Sequence, residues 1–237
     1  MSKSLSKRQE TRKSVEQGNL KVSTIIDLAK AALLVIDMQN DFCDKRGLSA
    51  STGRPLDPIR KIIPNTLKLV QAFRKSTRPV IYLAQIYEPD GVDSPFSRHK
   101  IQPRLALTRG NVVIAARGSW GAAIIDELKP KPDEYIVEKR RFSGFYNTDL
   151  DTILRCREIE TIVVTGCVTY VCVEHTVRDA FVRDFDVIVA GDAVAGWNDE
   201  LHRNSLKSMS WSSAAIVTTK KILKMIENLQ ICRNRKV

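Results

Sequence analysis

Thr161-Ile-Val-Val-Thr-Gly-Cys-Val-Thr-Tyr-Val-Cys172 is the stretch on which the fold turns. Its first five residues are short, apolar or β-branched, and reach Gly166, the pattern of a buried strand ended by glycine. Beyond it the period changes: Val173, Val177, Ala180 and Phe181 share one helical face. A strand passing into a helix across a few residues is one half of a βαβ unit. Parallel sheets present reactive groups at the carboxyl ends of their strands, and Cys172 stands at that place. On the first turn of a helix a thiol feels the positive end of the macrodipole, which favours thiolate. The plain alternative is a small buried hydrophobe.

The same alternation extends outward in both directions. Ala31 to Ile36 is a nearly continuous apolar run, as expected for a strand covered on both faces. Asp57 to Lys75 follows as a helix, with Pro58 in its first turn and Ile59, Ile62, Ile63, Leu67 and Val70 at core spacing. Pro79 to Ala84 reads as the second strand. Residues 86–118 are rich in proline, glycine and charge, and read as an irregular insertion or lid. Ala122 to Leu128 is expected to be a short helix, Tyr135 to Val137 a third strand and Asp149 to Arg157 a helix. After the Cys172 helix come a strand at Asp186 to Ala190, a helix at Glu200 to Ser208, a strand at Ala214 to Thr218 and a helix at Lys220 to Leu229. Such order implies an α/β fold: three layers around a doubly wound, mostly parallel six-stranded sheet with right-handed crossovers.

Composition sets the outer limits. A chain of 237 residues suits one large domain. We divide it into a basic extension over 1–28, a catalytic domain over 29–230 and a basic tail over 231–237. No run approaches the roughly 18 apolar residues of a membrane span, and the N-terminus has no apolar segment of the secretory type. Five cysteines without a CxxC pair suggest free thiols in a reducing compartment, so a cytoplasmic protein is expected. The net charge of +11 is concentrated at the ends. Residues 1–30 carry seven basic and three acidic side chains, residues 220–237 six and one, leaving 25 and 23 between them. The body therefore needs no basic face, and nucleic acid is not the expected partner.

Charged residues follow the strands. Asp37 comes directly after the first strand, in Val35-Ile-Asp-Met-Gln-Asn-Asp-Phe42, and Lys139 follows the third, in Ile136-Val-Glu-Lys139. A carboxylate at the end of a buried strand is costly without a partner or a task. Each taken alone also reads as a loop cap or a surface charge. Together, three parallel strands deliver an acid, an ammonium and a thiol to one sheet edge.

These segments resemble the isochorismatase-like cysteine hydrolase superfamily. The resemblance lies in Ala32 to Phe42, in Val137 to Phe145 and in Thr165-Gly-Cys-Val-Thr-Tyr-Val-Cys-Val-Glu-His-Thr-Val-Arg-Asp-Ala180, and it covers roughly residues 30–218 in order. It implies a catalytic triad of Asp37, Lys139 and Cys172, and amide hydrolysis through a thioester. It further implies an oxyanion hole from the backbone N–H groups of Val168 and Cys172, and a cis peptide between Cys167 and Val168. Nicotinamidases of the superfamily hold a metal on an Asp-x-His pair after the second strand. Leu83-Ala-Gln-Ile-Tyr-Glu-Pro-Asp90 lacks the pair, while His99, His175 and His202 occur singly. Neither a catalytic metal nor a cofactor is therefore expected. Isochorismatases proper lack the thiol.

Arg117 to Trp120, with Asp126 to Leu128 and Arg141 to Leu154, is similar to ureidoacrylate amidohydrolases. The substrate expected is a small amide, a ureido or N-carbamoyl compound that releases ammonia. The alternatives are another small-amide or isochorismatase-type hydrolase, and a non-catalytic binding protein using its basic tails. Gln85, Tyr87, Trp120, Ser143, Phe145 and Tyr146 are candidates to bind the substrate, each with a packing role as the alternative. Asp192 is expected to organise a loop, Glu174 and Arg178 to pair along a helix, and Gly166 to serve a tight turn. Trp197 and Trp211 are expected in the core or between subunits, and a homo-oligomer, a dimer or tetramer, is the expected assembly. Cys43, close in sequence to Asp37, is a further candidate for the pocket wall.

Overall fold

Residues 28–94, 108–109 and 112–234 are described by the structure, a computed structural model. Most of the expected N-terminal extension, the end of the C-terminal tail, His99 and part of the insertion lie outside the described residues. After a 3-10 turn at Leu28–Lys30, strand β1 spans Ala31–Ile36. Two single-turn helices follow, α1 (Asn40–Cys43) and α2 (Leu48–Ser51), then the long α3 (Asp57–Lys75) and β2 (Val80–Gln85). The insertion contains a small hairpin, β3 (Thr108–Arg109) against β4 (Val112–Val113). Next come β5 (Tyr135–Lys139), α4 (Leu150–Cys156), β6 (Thr161–Cys167) and a π-helical turn at Thr169–Val173 that runs directly into α5 (Glu174–Phe181). The chain closes with β7 (Asp186–Ala195), α6 (Asp199–Ser212), β8 (Ala215–Val217) and α7 (Thr219–Asn234), the last passing the expected domain end at 230.

The six long strands form one sheet in the order β5-β2-β1-β6-β7-β8, and every pairing is parallel. The central strands are covered on both faces, which is why β1, β2 and β6 are buried throughout, whereas the edge strand β5 is largely exposed. Side chains of period two serve two cores. Leu33, Val35, Tyr82 and Val163 face α3 and α7, meeting Ile59, Val70, Phe73 and Ile222. Ala32, Leu34, Ile36 and Val164 face the other layer, meeting Leu150, Leu154, Val177 and Met209. Those are the three layers expected. Strand order reverses between β1 and β6, so the carboxyl ends of these two neighbours form the switch-point crevice of a doubly wound sheet.

Three local readings are corrected. The helix expected over Ala122 to Leu128 is only a 3-10 turn at Asp126–Leu128. The preceding residues are drawn into extended pairing with the segment after β1, through Asn40 N–H to Ala123 O (2.9 Å) and Ile125 N–H to Met38 O (3.0 Å). Gly166 does not end its strand. It holds φ +115° inside β6, where a Cβ would stand 2.1 Å from Ile36 O. The β7 strand runs past Ala190 to Ala195, because a register irregularity opposite Val164 and Gly166 lets it resume pairing at Val194. Asp192 thus lies within a strand, and its Oδ1 accepts from Thr219 N–H (2.7 Å) and Thr219 Oγ1 (2.8 Å) at the start of α7.

Candidate active site

The switch point brings the three strand-end residues together. Asp37 is the first residue beyond β1 and takes φ +50°, in the left-handed region that aspartate tolerates better than most residues. Lys139 ends β5, two strands and about 10 Å of sheet away. Its side chain crosses beneath β2 to reach Asp37, where Nζ donates to Oδ2 at 2.8 Å. The pair is sealed from solvent, with side-chain exposures of 0% and 2%. Cys172, buried on the π-helical turn, places its sulfur within hydrogen-bonding reach of both Asp37 and Lys139. Acid, ammonium and thiol therefore form one contact group.

Two glutamines hold this group in register. Gln85 ends β2, between β1 and β5. Its Oε1 accepts from Lys139 Nζ (2.9 Å) while its Nε2 donates to Lys139 O (2.9 Å). Its backbone N–H is shared between Asp37 Oδ1 (3.1 Å) and Gln39 Oε1 (2.9 Å). Gln39 in turn donates to Gln85 O (2.9 Å) and Ala122 O (2.7 Å). A lysine with two fixed acceptors cannot swing away from Asp37. The amide of Gln85, expected to grip substrate, lines the cleft and is bonded at both ends to Lys139.

The thiol is held neutral at rest. Burial pushes the Cys172 pKa well up, the neighbouring Asp37 carboxylate pushes the same way, and Lys139 offsets only part of this. This reverses the expectation of a thiolate favoured by the helix dipole: desolvation and a carboxylate at contact distance outweigh the end of a short helix. For Lys139 burial opposes the charge, yet Asp37 and Cys172 outweigh it, and its pKa lies above the ordinary lysine value. A protonated thiol beside a carboxylate that can accept its proton is the arrangement for deprotonation during attack.

Around the sulfur lies a narrow cleft of ≈ 30 Å³. Phe42, Phe142, Val168 and Val171 form its apolar walls, and Tyr87, Cys167 and Trp197 complete it. The peptide between Cys167 and Val168 is cis. Val168 caps the turn that carries Cys172, and Thr176 Oγ1 donates to Cys172 O (2.7 Å) while accepting from Gly144 N–H (3.0 Å). The solitary histidines brace the same turn. His175 Nδ1 lies 2.7 Å from Val171 O, and His202 Nδ1 lies 2.8 Å from Thr169 Oγ1. Glu174 pairs with Arg178 (2.6 Å) and accepts from Ser205 Oγ (2.6 Å). Among the described residues, no three His, Cys, Asp or Glu side chains are grouped to hold a metal ion.

Other candidates stand elsewhere. Trp120 is stacked by Arg46, 4.3 Å from the ring centroid, away from the cleft wall. Ser143 bonds Asp179 and the N–H of Phe145. Phe145 packs on Phe185 in the core that also holds Cys172 but does not line the cleft, and Tyr146 is exposed. Cys43 is buried against Cys167, whose thiol donates to Asp37 O (3.2 Å), one layer behind the cleft wall. Gln39, Phe42 and Phe142 are not among the sequence candidates: Gln39 and Phe42 lie within the quoted segment after β1, but nothing in their spacing marks them. Trp197, expected in the core or between subunits, lines the cleft.

A parallel sheet that gathers a buried acid, ammonium and thiol at its switch point defines an α/β cysteine hydrolase scaffold. The isochorismatase domain profile matches residues 31–221, and the chain belongs to that family. It is 35% identical over 193 residues to the ureidoacrylate amidohydrolase RutB of Methylobacterium radiotolerans, covering 78% of this chain and 74% of that protein. Among solved structures it resembles a cysteine hydrolase from Pseudomonas syringae pv. phaseolicola (TM-score 0.74, 33% identity, 86% and 95% of the two chains). It also resembles N-carbamoylsarcosine amidase from Thermoplasma acidophilum (TM-score 0.65, 32% identity, 80% and 96%). As in those amidohydrolases, the bond class is a non-peptide C–N bond.

Proposed function

We propose that this protein is a cysteine amidohydrolase that cleaves a ureido or N-carbamoyl compound with release of ammonia. The observation that carries the reading is the sealed contact group of Asp37, Lys139 and Cys172 at the β1/β6 crevice. Asp37 takes the proton from the Cys172 thiol as sulfur attacks the ureido carbonyl. Lys139 holds the carboxylate in place and balances its charge. The backbone N–H groups of Val168 and Cys172 stabilise the oxyanion. On collapse the C–N bond breaks and the leaving nitrogen takes the proton held by Asp37. Water, deprotonated by the same carboxylate, then hydrolyses the carbamoyl thioester to carbamic acid, which decomposes to ammonia and carbon dioxide, and the thiol is restored. A cleft this narrow suits small, flat amides.

Cys43, Cys156, Cys167 and Cys172 are free, which supports a reducing compartment, the cytoplasm. No described helix is long and apolar enough to cross a membrane. Trp211, 92% exposed on α6 near exposed Phe181 and Val182, supports a homo-oligomer. The decisive experiment is an ammonia-release panel of ureidoacrylate, N-carbamoylsarcosine, biuret and nicotinamide, run with the native protein and with Cys172→Ala. Release from a ureido or carbamoyl substrate that vanishes in the folded variant is the expected result. Unchanged turnover in the variant refutes the reading.

A further inference from the structure

Two buried donors in the cleft have no task in the triad. Tyr87 is 1% exposed, yet its hydroxyl has no hydrogen-bond partner among the described residues, and neither does the buried indole Nε1 of Trp197. Buried polar groups in folded proteins are nearly always paired, so an unpaired one at a cleft points to a ligand. Both residues line the cavity that holds the Cys172 sulfur. They arrive from opposite halves of the sheet: Tyr87 follows β2, while Trp197 follows β7.

Their placement is built, not incidental. The bridge between Tyr87 and Ala116 fixes the Tyr87 backbone, through Tyr87 N–H to Ala115 O (3.1 Å) and Arg117 N–H to Tyr87 O (2.8 Å). Arg54 stacks on the Trp197 ring at 4.8 Å, which fixes the ring plane. Beyond Asp37, the two cysteines and Gln85, whose amide is paired with Lys139, the rest of the cavity wall is apolar. Indole N–H is a donor only and a phenol donates readily, so the complementary group must be an acceptor.

We infer that Tyr87 and Trp197 are the specificity-determining donors of this site, binding an sp² oxygen that the substrate carries beyond its scissile carbonyl. The inference rests on the cysteine amidohydrolase reading and adds to it the substrate class: a ureido or carbamoyl amide bearing a second carbonyl or a carboxylate. In the free enzyme water can satisfy both donors. A substrate tail without an acceptor displaces that water and leaves two donors buried and unpaired. Sites built to hydrogen-bond a substrate group reject analogues lacking it far more strongly than sites that only fit its shape.

The test separates recognition from chemistry by measuring binding to Cys172→Ala with ligand-detected NMR titration. N-carbamoylglycine, N-carbamoylglycinamide and n-propylurea have similar shape; the first ends in a carboxylate, the second in a neutral carbonyl, the third in a methyl group. We expect N-carbamoylglycine to bind about 10²-fold more tightly than n-propylurea. That preference should collapse to within about threefold when Tyr87→Phe and Trp197→Phe are added, since the first removes only the hydroxyl and the second removes the N–H donor while keeping an aromatic ring. If the glycinamide shares the preference, a neutral oxygen suffices; if only the glycine compound does, the donors select a carboxylate. Equal binding of all three ligands, or a preference untouched by the two substitutions, overturns the inference. Turnover assays with the intact thiol are read separately. Preference without ammonia release would overturn the amidase reading alone, and ammonia release without preference would overturn the donor pair alone.

Discussion

Removing the Lys139 ammonium should cost stability that a second mutation restores without restoring activity. Lys139→Met keeps most of the side-chain volume but strips Asp37 of its 2.8 Å partner and Gln85 Oε1 of its 2.9 Å donor. Breaking a fully buried pair from one side leaves an uncompensated charge, worth about 3–5 kcal/mol, and the orphaned Gln85 oxygen lies within that figure. Asp37→Asn alone strands the ammonium and should cost a similar amount, softened if Lys139 gives up its proton. The double variant buries no charge. An amide at position 37 can still accept from Gln85 N–H, so its deficit should be within about 1.5 kcal/mol of the native protein. Urea unfolding of all four proteins gives the cycle, with a coupling of about 4 kcal/mol or more expected. Ammonia release should fall about 10³-fold or more in every variant, the double one included, because groups that act as a unit are not additive. A Lys139→Met deficit below about 1 kcal/mol, or a double variant no more stable than the singles, would refute a sealed pair.

Two further outcomes are expected. Ultraviolet thiolate absorbance, taken as the difference between native protein and Cys172→Ser, should show no Cys172 ionisation up to about pH 9, above the free-thiol midpoint of about 8.5. The sign follows from burial and the Asp37 charge, both of which favour the neutral form and so raise the pKa; a midpoint near neutrality would contradict it. Gly166→Ala should lose about 3 kcal/mol or more in thermal or urea unfolding, since its Cβ would press to 2.1 Å from Ile36 O at φ +115°. A loss under about 1 kcal/mol would show that β1 and β6 can part there.

The sheet was legible because burial on both faces leaves a plain mark. Ala31 to Ile36 and Thr161 to Thr165 are apolar or β-branched with almost no interruption. The proposed triad was legible for a related reason: Asp37, Lys139 and Cys172 each stand where a strand has just ended or a helix is about to begin. What stayed hidden depends on partners remote in sequence. The 122–128 segment carries helical spacing, but its backbone bonds go to Met38 and Asn40. Local spacing says nothing of such a competitor. The β7 extension depends on an irregularity shared with β6, and the place of Trp197 in the cleft depends on where that strand ends. The amide of Gln85 was assigned to the substrate because only the fold reveals that Lys139 passes within 2.9 Å of it.

The resting thiol joins these observations into one mechanism. A cysteine kept neutral by burial has little nucleophilicity of its own, so in the proposed mechanism reactivity comes from Asp37 at the moment of attack. That requirement explains the glutamine clamp. A base that must accept one proton from sulfur and pass it to a leaving nitrogen has to stay within reach of both, and Lys139 holds it only if Lys139 itself is held. Gln85 does so from both ends, through Nζ and the backbone carbonyl, while Gln39 locks Gln85 to the segment after β1. The reactive group and its supports thus span β5, β2, β1 and β6, and the sheet itself sets their spacing. A parallel sheet with its switch point between β1 and β6 provides that register with little adjustment, leaving the loops after β2 and β7 to supply Tyr87 and Trp197 and so to choose the substrate.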